Sequence, residues 1–408
     1  MMGGEGRERI QADTASLALR HKPSGLNTSF TSSQLTFPQY IAASSEMIAQ
    51  ARTGASPELL NKIVAGNSPF ELHPTEGFAR GRDKPYLRGI LLVHGLTDSP
   101  YFMRHLARFF QDEGFRVMAV LLPGHGTQPG DLLDVCWQDW LKTVTYGVEQ
   151  LALEVDEIYL GGYSAGGALS VCQSLCDARI SGLFLFAPAL KVSPKAALAN
   201  FHKSYSWLWP SAKWLTLHPD KDIYKYESFP KNAAAQMYAL TQALLMLNRK
   251  MQIPVFAAIS QDDETVDSAA TVEFMQHAEH VESKLVYYFS DEKKIPRELL
   301  NAKTELVNSV IPEKNIISSA HTAIVLPAED AYYGESGEYR NCLHYRSNNI
   351  EKYEACMHGC EAVASGEITR KNLHAYTVRR LMYNPHYATL QNAMRQFISR
   401  LPADESAV

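Results

Sequence analysis

From residue 86 onward, short apolar runs alternate with stretches whose apolar residues recur at helical spacing. The run 87–93 predicts a strand and 101–112 an amphipathic helix ending near Gly114. A second strand follows at 115–122, closed by Pro123-Gly124. Residues 134–155 carry Val135, Trp137, Leu141, Val144, Val148 and Leu151 along one helical face, ahead of strands at 157–163 and 182–186. Upstream, 39–65 has helical periodicity and stops at Gly66-Asn67, before an extended Ser68-Pro69-Phe70. Strands alternating with helices predict an α/β chain, with a mostly parallel, doubly wound sheet covered on both faces.

The alternation breaks after 187 and resumes with a strand at 254–259, a helix at 268–280 and a strand at 284–289. Between them Phe201, Tyr205, Trp207, Trp209, Trp214, Tyr224, Tyr226 and Phe229 stand among Pro, Lys and Asp. This segment, about 188–250, reads as a cap inserted between two sheet strands. It is either a lid whose aromatic inner wall binds hydrocarbon and excludes water, or a plain packed helical excursion. At the start of the chain, 1–35 is polar and rich in Gly, Ser and Thr, without an apolar core of a signal peptide, and is expected to be a disordered tail.

Composition narrows the function classes. The 408 residues are 46% hydrophobic and carry a formal net charge of −5, so there is no basic field for a phosphate backbone and nucleic acid is not an expected partner. No apolar run reaches the roughly 18–20 residues of a membrane span, so no stable membrane insertion is expected and cytoplasmic residence is the default. Six cysteines make no disulfide framework and are expected as free thiols. The set Cys342, His344, Cys356, His358 and Cys360 fits no standard zinc spacing; a bridge from Cys342 to Cys356 or Cys360 is the lesser alternative.

Chemistry enters at Gly162-Tyr163-Ser164-Ala165-Gly166, where an apolar strand runs into a helix-compatible stretch. Glycines two residues either side of a serine let backbones approach closely at such a reversal and lift one hydroxyl out of the sheet. The motif alone is weak evidence; its strand and helix context strengthens it. A serine needs a base within hydrogen-bond reach and an acid to orient that base, in chain order Ser, acid, His. The loop after 254–259 offers Asp262, Asp263 and Glu264, with Asp263 preferred and Asp262 second. Seven histidines follow Asp263, and His321 is singled out because Ser318-Ser319-Ala320 makes a tight small-residue turn before it and Thr322-Ala323-Ile324 an apolar element after it. Backbone N–H groups of Leu96 and Ala165 are the candidate oxyanion donors, and His94 is expected to hold its turn by hydrogen bonds rather than to move protons.

Together Leu91-Leu92-Val93-His94-Gly95-Leu96-Thr97-Asp98-Ser99-Pro100, Leu122-Pro123-Gly124-His125-Gly126-Thr127, the Ser164 motif, Asp263-Glu264 and His321 resemble the α/β-hydrolase superfamily. The likeness is to its bacterial carboxylesterase and monoacylglycerol-lipase-like branch, also grouped with serine aminopeptidase-like hydrolases. The likeness covers roughly 86–321 and implies the α/β-hydrolase fold with an inserted cap; the domain is expected to span 36–408, with an extension after about 325. The resemblance also places Ser164, Asp263 and His321 at nucleophile, acid and base, and Leu96 and Ala165 at the oxyanion site. Two departures stand out: 291–317 is long for a loop before the histidine, and over eighty residues follow His321.

The expected activity is cleavage of a medium-chain or lipid-like carboxylic ester through an acyl-enzyme, with no cofactor and no metal. The expected partner is a small-molecule ester. Amide, aminopeptidase or thioester cleavage by the same triad is the alternative within enzymes, for which Asp220, Asp222 or Glu227 would hold a substrate amine. A silent binding protein that kept the fold is the alternative outside them.

Overall fold

A computed structural model describes residues 18–75, 81, 83–192, 210–247, 250–359 and 363–401. Eight strands form the central sheet: β1 (Phe70–Leu72), β2 (Tyr86–Val93), β3 (Arg116–Val120), β4 (Val155–Tyr163), β5 (Ile180–Phe186), β8 (Val255–Ser260), β9 (Lys284–Phe289) and β10 (Thr304–Asn308). Their spatial order is β1-β3-β2-β4-β5-β8-β9-β10. Only β1 runs antiparallel to its neighbour. The intervening strands β6 (Trp214–Thr216) and β7 (Phe229–Pro230) pair with each other in the cap.

Both faces of the inner strands β3, β5 and β8, and of the second half of β2 and β4, are buried, which is why they are continuously apolar. Along β2, Leu91 and Val93 enter one core with Trp140, Val144, Leu160 and Leu169, while Ile90 and Leu92 enter the other with Phe110, Phe184 and Phe256. The last helix, Tyr387–Ile398, completes that second core: the Phe397 ring stands edge-on to Phe184 at 5.2 Å. The chain beyond His321 is therefore partly structural core.

Three expectations change. The helix expected over 39–65 is two, Phe37–Ala51 and Pro57–Asn67. Gly54 adopts φ 94°, and Ser56 caps the second helix with Pro57 at its first position, so the chain turns there. Residues 291–317 are not a plain loop, because β10 within them extends the sheet edge in parallel with β9. Only Val307 of β10 is buried, so its sequence gives little strand signal. Finally, 18–35 lies against the body rather than trailing as a tail. His21 and Asn27 are buried, the Asn27 amide donates to the His125 carbonyl at 2.7 Å, and Ser24 donates from its backbone and hydroxyl to Asp131 at 2.6 and 2.7 Å. Residues 1–17 lie outside the described residues.

In the cap, Phe201, Tyr205, Trp207 and Trp209 lie outside the described residues; Trp214, Tyr224 and Tyr226 are buried. The cap's helix, Lys231–Leu247, is tied down at its start, where Asn232 donates to the carbonyls of Leu132 and Val135 at 3.0 Å each.

The extension carries a small parallel pair, β11 (Val363–Gly366) and β12 (Thr377–Arg380), beside short helices. Contrary to the free-thiol expectation, Cys342 and Cys356 form a disulfide, which also removes two of the five candidate zinc ligands. Cys136, Cys172 and Cys176 are free, and Cys360 lies outside the described residues. The bridge staples a satellite core of Tyr345 with Tyr353, Met357 and Leu373, too small to hold itself by burial alone. Its 14-residue separation corresponds to about 3 kcal/mol of loop-closure stabilisation. Reduction, or a Cys342→Ser/Cys356→Ser variant, is expected to speed amide hydrogen exchange across 343–380 by a free energy of about that size, while β2 to β5 keep their protection.

Candidate active site

Ser164 sits between β4 and the helix Ala165–Cys176 at φ 54°, ψ −114°, a conformation that an L-residue adopts at a cost of about 1–3 kcal/mol. Its N–H donates to the Phe186 carbonyl at 2.9 Å, and its carbonyl accepts from Gly167, Ala168 and Ala189. The flanking glycines are demanded by proximity. A Cβ on Gly166 would collide with the carbonyls of Val93 and His94, and one on Gly162 with the backbone of Gly166 and Gly167.

Residues distant in the chain meet here. The Ser164 Oγ lies 3.0 Å from His321 Nε2, and His321 Nδ1 lies 2.7 Å from Asp263 Oδ2. All three side chains are nearly buried. The second Asp263 oxygen accepts the N–H groups of Thr265 at 2.8 Å and Val266 at 3.0 Å. Burial pushes the Asp263 carboxyl up, but the His321 ring and these N–H donors outweigh it and leave it below the ordinary carboxylate value. Asp262 faces away: it accepts from the Ser290 hydroxyl at 2.8 Å, its other oxygen is buried without a partner, and burial pushes it up.

His321 is held from behind by residues that sequence reasoning did not single out. Glu367, directly after β11, is fully buried and accepts the His321 N–H at 2.9 Å. Arg380, at the end of β12, pairs with Glu367 at 3.0 Å. Tyr163 stacks its ring on His321 at 5.3 Å between centroids and donates its hydroxyl to the His321 carbonyl at 3.2 Å. No short motif marks Glu367 or Arg380, since their partners lie 46 and 13 residues away.

Leu96 and Ala165 line the same cavity as Ser164. Ala165 opens its helix, so its N–H has no carbonyl one turn back to bond, and the helix end favours negative charge. The Leu96 turn is cross-braced to the turn after β3 by two histidines. His94 donates from Nδ1 to the Gly95 carbonyl at 2.8 Å and accepts the Leu122 N–H at 3.1 Å. His125 donates from Nδ1 to the Pro123 carbonyl at 3.0 Å and accepts the Thr97 N–H at 3.1 Å. Each ring thus serves as donor and acceptor, which only the neutral form can do. Burial holds His94 well below its ordinary value and His125 down to about 4. The part of His94 is thereby the positioning one, and His125 is its unanticipated counterpart.

The family described as serine aminopeptidase, S33, matches residues 87–290, half of the chain. This chain belongs to that family. A thermostable monoacylglycerol lipase of Bacillus sp. (strain H-257) is 27% identical over 178 residues, covering 44% of this chain and 71% of that protein. A carboxylesterase of Bacillus subtilis (strain 168) is 22% identical over 213 residues, covering 51% and 84%. A solved structure reported with the metagenome-derived lipolytic enzymes LipS and LipT has a TM-score of 0.46 and 24% identity, covering 54% of this chain and 87% of its own. The S33 match ends before His321 and the whole extension.

Above Ser164 this S33-family chain encloses a cavity of about 490 Å³. Its lining mixes apolar residues, among them Leu96, Val192, Phe229, Ala234, Met237 and Val266, with polar ones, to which the extension adds Asn341, His344 and Arg380. The cap is fastened to the Leu96 turn by the Tyr226 N–H on the Thr97 carbonyl at 2.8 Å and by the ion pair of Lys225 with Asp98.

The neutral braces give stability a defined pH dependence. In the unfolded chain His125 binds a proton near the ordinary 6.5, whereas the fold excludes it down to about 4. Its contribution is therefore complete above about 6.5, is lost progressively as pH falls toward about 4, and changes no further below. Chemical denaturation across that window is expected to show a shallower loss of stability in His125→Asn than in the wild type.

Proposed function

We propose that this chain hydrolyses carboxylic esters through an acyl-enzyme, with Ser164 as nucleophile, His321 as general base and acid, and Asp263 as the group that orients His321. The observation that carries the reading is the unbroken Ser164–His321–Asp263 relay at 3.0 and 2.7 Å beneath a cavity with an apolar wall. Ser164 Oγ attacks the ester carbonyl as His321 Nε2 takes its proton. The tetrahedral oxyanion is received by the N–H groups of Leu96 and Ala165, each such donor being worth roughly 10²–10³ in rate. His321 then returns the proton to the departing alcohol, and water activated by the same imidazole releases the acid. The lowered carboxyl of Asp263 keeps it anionic beside the imidazolium.

Substrate class follows from the wall under the cap, where Phe229, Ala234 and Met237 suit a medium-length acyl chain. The names of the two Bacillus relatives, a monoacylglycerol lipase and a carboxylesterase, agree with an ester substrate. Aminopeptidase action would require a carboxylate free to hold an amine. Asp220 is buried against His21 and Ser228, and Asp222 against Tyr333. Glu227 reaches the cavity but already accepts from the Tyr339 hydroxyl at 2.9 Å and the Lys221 N–H at 3.0 Å. No helix among the described residues is long and apolar enough to cross a membrane. The Cys342–Cys356 bridge favours an oxidising compartment over the cytoplasmic residence expected from the sequence.

A fluorophosphonate is expected to label the wild type and not Ser164→Ala. Asp263→Asn should lower kcat by about 10⁴ while Asp262→Asn costs less than about tenfold, a contrast that steady-state kinetics on p-nitrophenyl hexanoate reads directly. Across p-nitrophenyl esters of increasing length, with a matched amide and thioester beside them, kcat/KM should peak at a medium chain and the amide should be cleaved slowest. A preference for the amide would replace the substrate class and leave the mechanism.

A further inference from the structure

The extension, which lies beyond the residues that define the family match, adds Asn341, His344 and Arg380 to the polar lining of the cavity, and Arg380 is the cation among them. The Nη2 nitrogen of Arg380 donates to Thr265 Oγ1 at 2.7 Å and bonds Glu367. Nε is buried without a partner, and the side chain stays 24% exposed, in the lining of the cavity. A guanidinium has five N–H donors; with Nη2 spent on Thr265 and Glu367 and Nε buried, the Nη1 pair is what this one offers to an oxyanion in the cavity.

Its charge is paired with Glu367, so what it offers an anion is its remaining N–H donors. Glu367 spreads its carboxylate over the N–H groups of His321 and Ile368 as well as over Arg380. The two other carboxylates lining the cavity are engaged, Asp98 by Lys225 and Glu227 by Tyr339 and Lys221. His344 donates from Nε2 to the Val378 carbonyl at 3.1 Å, so its other nitrogen is an acceptor and gives an anion no donor.

Position fixes which half of a substrate meets this wall. Arg380 is bonded to Glu367, which holds His321, and to Thr265, which holds Asp263. It therefore stands on the His321 side of Ser164. Because His321 hands its proton to the leaving oxygen, the alcohol half of the ester lies on that side, and the acyl half under the cap.

Resting on the ester-hydrolase reading, we propose that Arg380 selects esters whose alcohol half carries an anionic group, a carboxylate or a phosphate.

The test compares matched pairs that differ only in that charge: hexanoylglycerol against hexanoylglycerol 3-phosphate, and the hexanoyl ester of glycolamide against that of glycolate. In the wild type the anionic member of at least one pair should show a kcat/KM about ten- to a hundredfold higher, carried mainly by KM. The pair that shows it tells phosphate from carboxylate. In Arg380→Met the anionic-to-neutral ratio should fall to about one, with partial recovery in Arg380→Lys; the ratio cancels any disturbance of His321 common to both substrates. Neutral members preferred by the wild type, or a ratio unmoved in Arg380→Met, would overturn the proposal and leave Arg380 a support for Glu367. The wild-type comparison stands even where a variant fails to fold. A chain that takes fluorophosphonate on Ser164 but cleaves none of the four overturns this inference alone, whereas one that takes no label overturns the hydrolase reading beneath it.

Discussion

The close approach of the Gly166 backbone to the carbonyls at the end of β2 is the constraint from which the site follows. With no Cβ in the way, the helix that begins at Ala165 seats its first turn directly against Val93 and His94. That contact, with the Ser164 N–H on Phe186, holds the nucleophile at a positive φ that an isolated peptide would leave. It also brings the first free N–H of the helix beside the Leu96 turn, so one packing contact sets both the Ser164 hydroxyl and the proposed oxyanion donors. The two neutral histidines then stiffen the partner turn, which has too few residues to be rigid alone.

Support for the base comes from elsewhere in the chain. In place of a short return from β9 to His321, the chain adds the edge strand β10, and after His321 it adds β11, β12 and their disulfide-stapled helices before rejoining the core at Tyr387. Glu367 and Arg380 couple this added module to the His321 backbone and to the Asp263 loop. The same module lines part of the cavity, so the placement of His321 and the shape of the cavity share a structural origin.

At the other side of the cap, His21 Nε2 lies 3.1 Å from Asp220 and 3.0 Å from Ser228, with its ring edge-on to Trp214 at 5.2 Å. The residue types repeat those of the site, yet one ring nitrogen faces both partners. A proton relay needs acid and hydroxyl on opposite nitrogens, so this cluster is a clasp joining the early segment to the cap.

The amino-acid sequence by itself determined the sheet, the turn that carries Ser164 and the chain order of Ser164, Asp263 and His321, because these are written locally: apolar runs for β2 to β5 and β8 to β9, paired glycines around Ser164, and a small-residue turn before His321. The preference for Asp263 over Asp262 rested on loop position, and the paired N–H groups of Thr265 and Val266 supply the physical reason for it. Only the tertiary structure decided the rest. β10 buries a single residue and so carries no apolar period, and the Cys342–Cys356 bridge depends on which thiols the fold brings together. Likewise 18–35 is polar because its partners, Asp131 and the carbonyls around His125, are polar, so a segment that binds the body has the composition of one that does not. Glu367 and Arg380 read as ordinary surface charges until the chain returns them to His321, since a pairing across distant segments leaves no periodic trace in sequence.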